Sequence, residues 1–323
     1  MNWESKKILL TGGTGSFGKK FTEIMLNEYH PARLVIFSRD ELKQFDMKKK
    51  YDDPCLRYFL GDVRNPERIL QSTVDIDIIV HAAAMKQVPA CEYNPEESVL
   101  TNVIGAKNII DAAIKNMVGK VIAISSDKAV NPVNLYGATK LVAEKLFIQG
   151  NCYAGKKDIR FSCTRYGNVS GSRGSVIPLF REQKMSGKLT ITDERMTRFL
   201  LTLDQGIRFV IKCIESMRGG EIFVPKLQAV KIMDIADVIS PGCEKKFTGI
   251  RSGEKIHEIM ISEDEARHTV EYDNMYIVKP EYPYWMSERD ERGVNLPDGF
   301  KCSSDSIGFM GLPQIDELLK RTT

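Results

Sequence analysis

Thr11-Gly12-Gly13-Thr14-Gly15-Ser16-Phe17-Gly18 follows the apolar run Ile8 to Leu10 and opens an amphipathic stretch from Phe17 to Glu28. Gly12, Gly15 and Gly18 are evenly spaced, as in a loop that turns tightly between a strand and a helix. Glycine at those places lets the backbone come close to a pyrophosphate, which rests on the helix N-terminus. Gly-rich turns are common, so the motif draws its force from the strand before it and the helix after it. Thr14, Ser16 and Phe17 join the three glycines as expected cofactor contacts.

Working outward, short apolar runs alternate with amphipathic stretches. Strands are expected at Ile8 to Leu10, Leu34 to Phe37, Tyr58 to Leu60, Ile76 to Val80, Val121 to Ile124 and Phe161 to Thr164. Between them, helical patterns run from Pro66 to Gln71, Pro95 to Asn116 and Tyr136 to Gln149. Asn65-Pro66-Glu67 reads as a helix start, with a capping Asn and Pro in the first turn. Strict alternation implies an α/β fold with a doubly wound parallel sheet, an NAD(P)-binding Rossmann fold. After Tyr166 the rhythm breaks, and a smaller mixed α/β substrate lobe is expected. The division reads as 1–168 plus about 204–225 for the nucleotide lobe, and 169–203 with 226–323 for the second. Helices are expected at Asp204 to Met217, Lys231 to Ile239 and near Ile315. The tail from about 285 is polar and weakly patterned.

Bulk properties exclude several classes. The 323 residues carry 42% hydrophobic and 28% charged side chains, with a net charge of +3. Lys and Arg are spread along the chain, so neither a nucleic-acid partner nor a membrane is expected. Seven cysteines are scattered without a C-x-x-C pair and no signal peptide is read, which suits free thiols in a reducing cytoplasm. Four histidines at no ligand spacing give no metal site.

The second strand ends in Ser38-Arg39-Asp40-Glu41-Leu42-Lys43. An acidic residue here would bind the ribose hydroxyls of NAD, whereas Ser38, Arg39 and Lys43 offer hydrogen bonds and charge to a 2′-phosphate. NADP is the expected cofactor, with Asp40 as the residue that argues for NAD. Asp62 and Val63 are placed to meet the adenine. Ala82, Ala83 and Ala84 end the fourth strand as small residues beside the cofactor, and His81 reads as structural.

Ser125-Ser126-Asp127-Lys128 stands after the fifth strand, and Tyr136 and Lys140 follow it four residues apart. That spacing puts the phenol and the amine on one helix face. A cation beside a phenol favours phenolate, so Lys140 is expected to lower the Tyr136 pKa. Such a base can take a hydroxyl proton while a nicotinamide takes the hydride. The added acid and base, Asp127 and Lys128, imply a step beyond oxidation. Asp111 and Glu144 read as solvated helix faces, and Met25, Met117 and Met217 as core filling.

Together these residues resemble the extended short-chain dehydrogenase/reductase superfamily. Ala83-Ala84-Met85-Lys86-Gln87-Val88-Pro89, Thr101-Asn102-Val103-Ile104-Gly105-Ala106, Ser126-Asp127-Lys128-Ala129, Arg165-Tyr166-Gly167-Asn168-Val169, Met196-Thr197-Arg198-Phe199 and Ile250-Arg251-Ser252-Gly253-Glu254-Lys255-Ile256-His257-Glu258 are similar to bacterial UDP-N-acetylglucosamine 4,6-dehydratases. The C5-inverting branch that begins pseudaminic acid synthesis is most alike. Ser126 stands where Thr is usual. The tail keeps Ser303-Ser304-Asp305 but departs at Ser306-Ile307-Gly308-Phe309-Met310.

The resemblance implies that Tyr136 takes the C4 hydroxyl proton, with Ser125 or Ser126 on that oxygen and Lys140 on the nicotinamide ribose. Lys128 would then take the C5 proton and Asp127 protonate the leaving C6 hydroxyl. It adds Lys86, Asn102, Tyr166 and Val169 to the cofactor contacts. On UDP-N-acetylglucosamine it places Asn168, Arg173, Arg198 and Arg251 at the diphosphate, Glu254 at the ribose, and Thr190 and Val176 at the uracil, with Met196 and Lys86 nearby. It also implies a homo-oligomer, commonly a hexamer. Release of the 5,6-ene-4-ketone, retention at C5, a UDP-sugar 4-epimerase and an NADP-sensing regulator remain open.

Overall fold

A computed structural model describes residues 1–155, 157–171, 176–281, 285 and 290–321. Six strands come first: β1 (Lys7–Thr11), β2 (Arg33–Ser38), β3 (Leu56–Leu60), β4 (Ile78–His81), β5 (Lys120–Ile124) and β6 (Arg160–Thr164). They lie parallel in the order β3-β2-β1-β4-β5-β6. The helices among them are α1 (Ser16–Ile24), α2 (Glu41–Lys50), α3 (Pro66–Ser72), α4 (Val88–Tyr93), α5 (Pro95–Val99), α6 (Gly105–Lys115) and α7 (Leu135–Ala154). Leu100–Ile104 is a π-helical turn joining α5 to α6.

The inner strands are apolar because both faces are covered, whereas the edge strand β3 is partly exposed. Leu9, Val35, Phe37, Ile79, Val121 and Phe161 face one core with Ile109, Ala113 and Phe147 of α6 and α7. Their neighbours Ile8, Leu10, Leu34, Ile36, Ile78, Val80 and Ile122 face the other, against Phe21 of α1 and Ile207, Ile211 and Ile214 of the helix Leu203–Ser216. Each such aliphatic side chain contributes roughly 1.5–3 kcal/mol on burial. β1 lies between β2 and β4, so the connections leave it in opposite directions. The crevice beyond its C-terminal end is where an open α/β sheet binds its ligand.

Asn65 accepts the Arg68 N–H and Pro66 stands in the first turn, as the sequence expects. The expectation missed α2, which is almost wholly exposed and ends in three lysines, leaving no apolar stripe to read. Met25 and Met217 are core residues, but Met117 is exposed at a left-handed turn, φ 58°. Glu144 is not a solvated face either. It is buried and gripped by the fully buried Arg165, at 2.6 Å, which also holds Glu265 at 2.9 Å.

The large sheet runs further than the expected division allows. Ile222–Pro225 pairs parallel with β6, and Met275–Val278 and Thr269–Tyr272 continue antiparallel beyond it. These last strands were expected in the second lobe. They join the sheet because Ile222–Pro225 would otherwise leave an unpaired edge, and because Val270, Met275 and Ile277 complete one core. The second lobe has its own core of Ile177, Phe180, Leu189, Met196, Leu200, Ile235 and Leu318. Thr197–Leu201 pairs with Asn168–Val169 on one side and Ala229–Lys231 on the other in a separate small sheet, and packs Phe199 and Leu201 into the two large-sheet cores and Leu200 into that of the second lobe. The polar tail is tied in by Cys302–Ser303, which pairs with Ile259–Ile261.

Candidate active site

A cleft of about 750 Å³ opens at the crevice, lined by Gly12, Thr14, Gly15, Ser16, Phe17, Ser38, Arg39, Asp40, Lys43, Asp62, Val63, Ala82, Ala83, Ala84 and Lys86. That size suits a dinucleotide. Gly12 has φ 67°, and a Cβ there would lie 2.9 Å from the Ala83 nitrogen. At Gly18 a Cβ would lie 2.2 Å from the Gly13 carbonyl oxygen, so α1 can start this close to the loop only with glycine. Thr11 Oγ1 accepts the Ala83 N–H and bonds His81 Nδ1 at 2.9 Å. Burial, with the nearby Lys140 charge, pushes the His81 pKa down to about 3, so the ring stays neutral and structural.

At the end of β2 the charges are arranged in pairs. Asp40 caps α2, accepting the Lys43 N–H at 2.9 Å, and pairs with the Lys43 ammonium. Arg64 grips Asp62 at 2.7 Å and Arg39 reaches it at 3.5 Å. Asn102 was expected on the cofactor. Its amide is instead committed to Met85 N–H (2.8 Å), Met85 carbonyl (2.9 Å) and Thr139 Oγ1 (3.0 Å), so it braces the cleft wall. Lys86 lies exposed at the mouth.

The catalytic candidates come from the ends of β5 and α7. Ser125 N–H donates to the Thr164 carbonyl at 2.7 Å, and Asp127 N–H donates to the Tyr166 carbonyl at 3.2 Å. Asp127–Ala129 forms a single 3-10 turn. Ser126 Oγ donates to Asp127 Oδ1 at 2.7 Å and accepts the Lys128 N–H at 3.2 Å. Asn134 caps α7 by accepting the Gly137 N–H. A Cβ at Gly137 would fall 2.2 Å from the Lys128 carbonyl, so only glycine lets α7 press Tyr136 against the turn.

Tyr136 and Lys140 are both buried. Burial pushes the Tyr136 phenol up to about 12, only partly offset by the Lys128 charge and a Ser126 hydrogen bond. This corrects the expectation that Lys140 lowers it. Lys140 Nζ donates to the Ile124 carbonyl at 2.6 Å, and its own pKa falls to about 8 through burial. Burial also works against the Lys128 ammonium, but Asp127 at 3.0 Å and Glu258 at 3.4 Å outweigh it and hold the pKa above its ordinary value. Ser125 Oγ, Asp127 Oδ2 and Asn168 Oδ1 are buried without a hydrogen-bond partner among the described residues. Buried polar atoms are rarely left so, and these three are the natural contacts for a polar ligand.

A second cavity, about 190 Å³, adjoins the second lobe. Asn168, Val176, Thr190, Met196, Arg198, Arg251 and Glu254, which the sequence reading put at the substrate, line it together with Val169, which that reading put on the cofactor. Arg173 lies outside the described residues. Arg198 is not a free fork for a diphosphate. Its guanidinium donates to the carbonyls of Thr197, Lys255 and Ile256 and to Met196 Sδ. Arg251 is largely exposed, 3.6 Å from Glu254. The sequence reading overlooked Gln183, which binds Thr190 through both backbone and hydroxyl, and Glu258. Neither spacing nor composition marks them, because each meets its partner only through the tertiary fold.

The family model for "Polysaccharide biosynthesis protein" matches residues 8–280. The chain is 51% identical over 313 residues to an inverting UDP-N-acetylglucosamine 4,6-dehydratase of Campylobacter jejuni, covering 94% of each. It is 40% identical to a UDP-glucose 4-epimerase of Rickettsia canadensis, over 97% of this chain and 95% of that one. The X-ray structure of Pen from Bacillus thuringiensis superposes with a TM-score of 0.90 at 35% identity, covering 99% of this chain and 100% of that one. More distant solved chains of the same fold are described with NAD bound. By sequence, site and architecture together, the chain belongs to the polysaccharide biosynthesis protein family, on the extended short-chain dehydrogenase/reductase fold.

Proposed function

We propose that this protein is an NADP-dependent UDP-N-acetylglucosamine 4,6-dehydratase that inverts C5, the first step of pseudaminic acid synthesis. Its enzyme class is that of the dehydratases it resembles. A nicotinamide dinucleotide fits the glycine cradle and cleft. NADP is favoured because Asp40 is engaged as a helix cap and paired with Lys43, leaving Arg39 largely exposed for a 2′-phosphate. When bound, the cofactor supplies hydride transfer from C4 and its later return to C6.

The observation that carries the reading is the pairing of buried Asp127 with half-buried Lys128, beside Tyr136 and a Ser125 Oγ that has no partner among the described residues. Tyr136 must be the phenolate, a form that the Lys128 charge and the Ser126 hydrogen bond favour against burial, to take the C4 hydroxyl proton, with Ser125 on the same oxygen. The C4 ketone acidifies the C5 hydrogen. Lys128 must be neutral to accept it, and Asp127 must carry a proton to release the C6 hydroxyl as water. One proton moved across their 3.0 Å contact converts the resting ion pair into that base and acid. Asn168, Thr190, Arg251 and Glu254 hold the nucleotide in the second cavity, with Val176, Met196 and Arg198 in its wall.

Simple 4-epimerisation is the second reading, favoured by the Rickettsia relative. It needs no elimination and leaves Asp127 and Lys128 without a task. Among the described residues no helix is long and apolar enough to cross a membrane. A cytoplasmic homo-oligomer, a hexamer by resemblance, belongs to the same proposal. Proton NMR of the protein with UDP-N-acetylglucosamine in deuterated water tests it. A C6 methyl with deuterium at C5 supports the dehydratase, and its couplings report inversion or retention. Vinyl protons alone mean that the 5,6-ene is released. A changed C4 without a methyl selects the epimerase, and an unchanged spectrum removes the substrate assignment.

A further inference from the structure

Glu258 leads from the second lobe into the strand Ile259–Ile261, and its side chain is 3% exposed. Its Oε1 lies 3.4 Å from Lys128 Nζ and 3.8 Å from Arg198 Nε. Its Oε2 is buried with no hydrogen-bond partner among the described residues. A carboxylate taken so far from water is costly unless a cation faces it. The backbone around it is clamped from two sides. Ser304 Oγ accepts the Glu258 N–H at 2.9 Å and Ser304 N–H donates to the Glu258 carbonyl at 2.8 Å. Thr197 Oγ1 holds that Ser304 hydroxyl at 2.6 Å, and Arg198 donates to the Lys255 and Ile256 carbonyls just before it. The tail therefore fixes a carboxylate from the second lobe onto a lysine of the first.

We propose that Glu258 is a positioning residue for the acid–base pair: with Asp127 it holds the Lys128 ammonium, and so decides at what pH Lys128 becomes a base. The hold on Lys128 stands by itself, whereas its use in catalysis rests on the dehydratase reading. The charged and titratable groups that face Lys128 are Asp127, Glu258, Arg198, Lys86, Lys255 and Tyr136. The three other cations and burial all disfavour its charge, and the two carboxylates oppose them. Removing the Glu258 charge leaves Asp127 alone against the same cations. A larger share of Lys128 is then neutral at any given pH.

The test is acetylation of the full-length protein by an N-hydroxysuccinimide ester at mildly alkaline pH, mapped by mass spectrometry, with the exposed Lys184 as reference. Lys128 is expected to react several-fold faster in Glu258→Gln than in the wild type, and at close to the wild-type rate in Glu258→Asp. Equal Lys128 rates in wild type and Glu258→Gln overturn the proposal. Should Glu258→Gln not fold, Ser304→Ala loosens the clamp and is expected to move Lys128 in the same direction, and no change there overturns it too. The pH profile of methyl formation supplies the catalytic readout. The limb set by Lys128 moves to lower pH in Glu258→Gln and returns in Glu258→Asp. A merely structural Glu258 would lower the rate at every pH without moving that limb, which also overturns the proposal. Faster Lys128 acetylation in a protein whose wild type leaves UDP-N-acetylglucosamine unchanged keeps the hold on Lys128 and removes the dehydratase reading instead.

Discussion

Lys128 Nζ lies 3.0 Å from Asp127 Oδ1, so two residues adjacent in sequence face each other at the end of a buried strand. Adjacent side chains usually diverge. Here the 3-10 turn at Asp127–Ala129, capped by Ser126, folds them together. The proposed acid and base of an elimination are thus held as an ion pair, one proton transfer away from their working forms.

Asp127→Asn keeps the size of the side chain but cannot give a proton. We expect methyl formation to fall by about 10²- to 10⁴-fold, the usual contribution of a positioned acid. Reduced cofactor should build up during a single turnover, because C4 oxidation precedes the blocked step. Methyl formation near the wild-type rate would remove Asp127 as the acid.

Tyr136→Phe deletes the proposed C4 base. A loss of about 10²- to 10⁴-fold is expected in the first half-reaction, so reduced cofactor should not build up. Absorbance after mixing with substrate separates the two variants: a rise for Asp127→Asn, none for Tyr136→Phe.

The proposed NADP preference rests on Arg39, with Lys43 behind it. Arg39→Ala should weaken NADP by about tenfold or more, since a charge-assisted hydrogen bond contributes roughly 1.5–3 kcal/mol. NAD affinity should stay nearly constant. Calorimetric titration with both cofactors decides it, and equal losses for the two would assign Arg39 to the shared part of the dinucleotide.

The pKa of Lys140 is about 8 in the fold against an ordinary 10.5. The lowered value means that charged Lys140 destabilises the cofactor-free fold. The penalty is complete below pH 8 and fades as pH rises from 8 towards 10.5, where the unfolded chain binds a proton that the folded chain does not. Its full size is roughly 3 kcal/mol. Thermal melts of Lys140→Met against wild type should show a larger relative gain for the variant at about pH 7 than at about pH 10. A difference independent of pH would mean that Lys140 titrates normally.

Arg165 is fully buried between Glu144 and Glu265. Arg165→Met leaves two carboxylates uncompensated and should cost about 3–5 kcal/mol in chemical denaturation. A loss below about 1 kcal/mol would place the trio in the class of weak surface pairs.

The sheet was legible because its signal is local. Residues 8–10, 34–37 and 121–124 are apolar on both faces, and Gly15 and Gly18 of the phosphate loop meet their steric limits within a few residues, whereas Gly12 meets Ala82 and Ala83 from the end of β4. The same holds for Tyr136 and Lys140, which one helix turn brings to one face, and for Ser125, Asp127 and Lys128 at a strand end. What failed was whatever depended on distant partners. Glu144 reads as a surface residue until Arg165 arrives from just beyond β6, and Asn102 reads as a cofactor contact until the Met85 loop closes on it. The amphipathic pattern cannot mark α2, because a helix exposed on nearly every side has none.

By itself, then, the sequence determined the parallel α/β sheet, the glycine cradle and the residues proposed as acid, base and phenol. Periodicity, glycine geometry and short-range spacing suffice for those. The tertiary structure alone decided the charges they carry. Burial moved Tyr136 and Lys140 in ways their spacing did not foretell, and Glu258, 130 residues from Lys128 along the chain, set the balance at that lysine. Protonation depends on desolvation and on every nearby charge, and both exist only once the chain has folded.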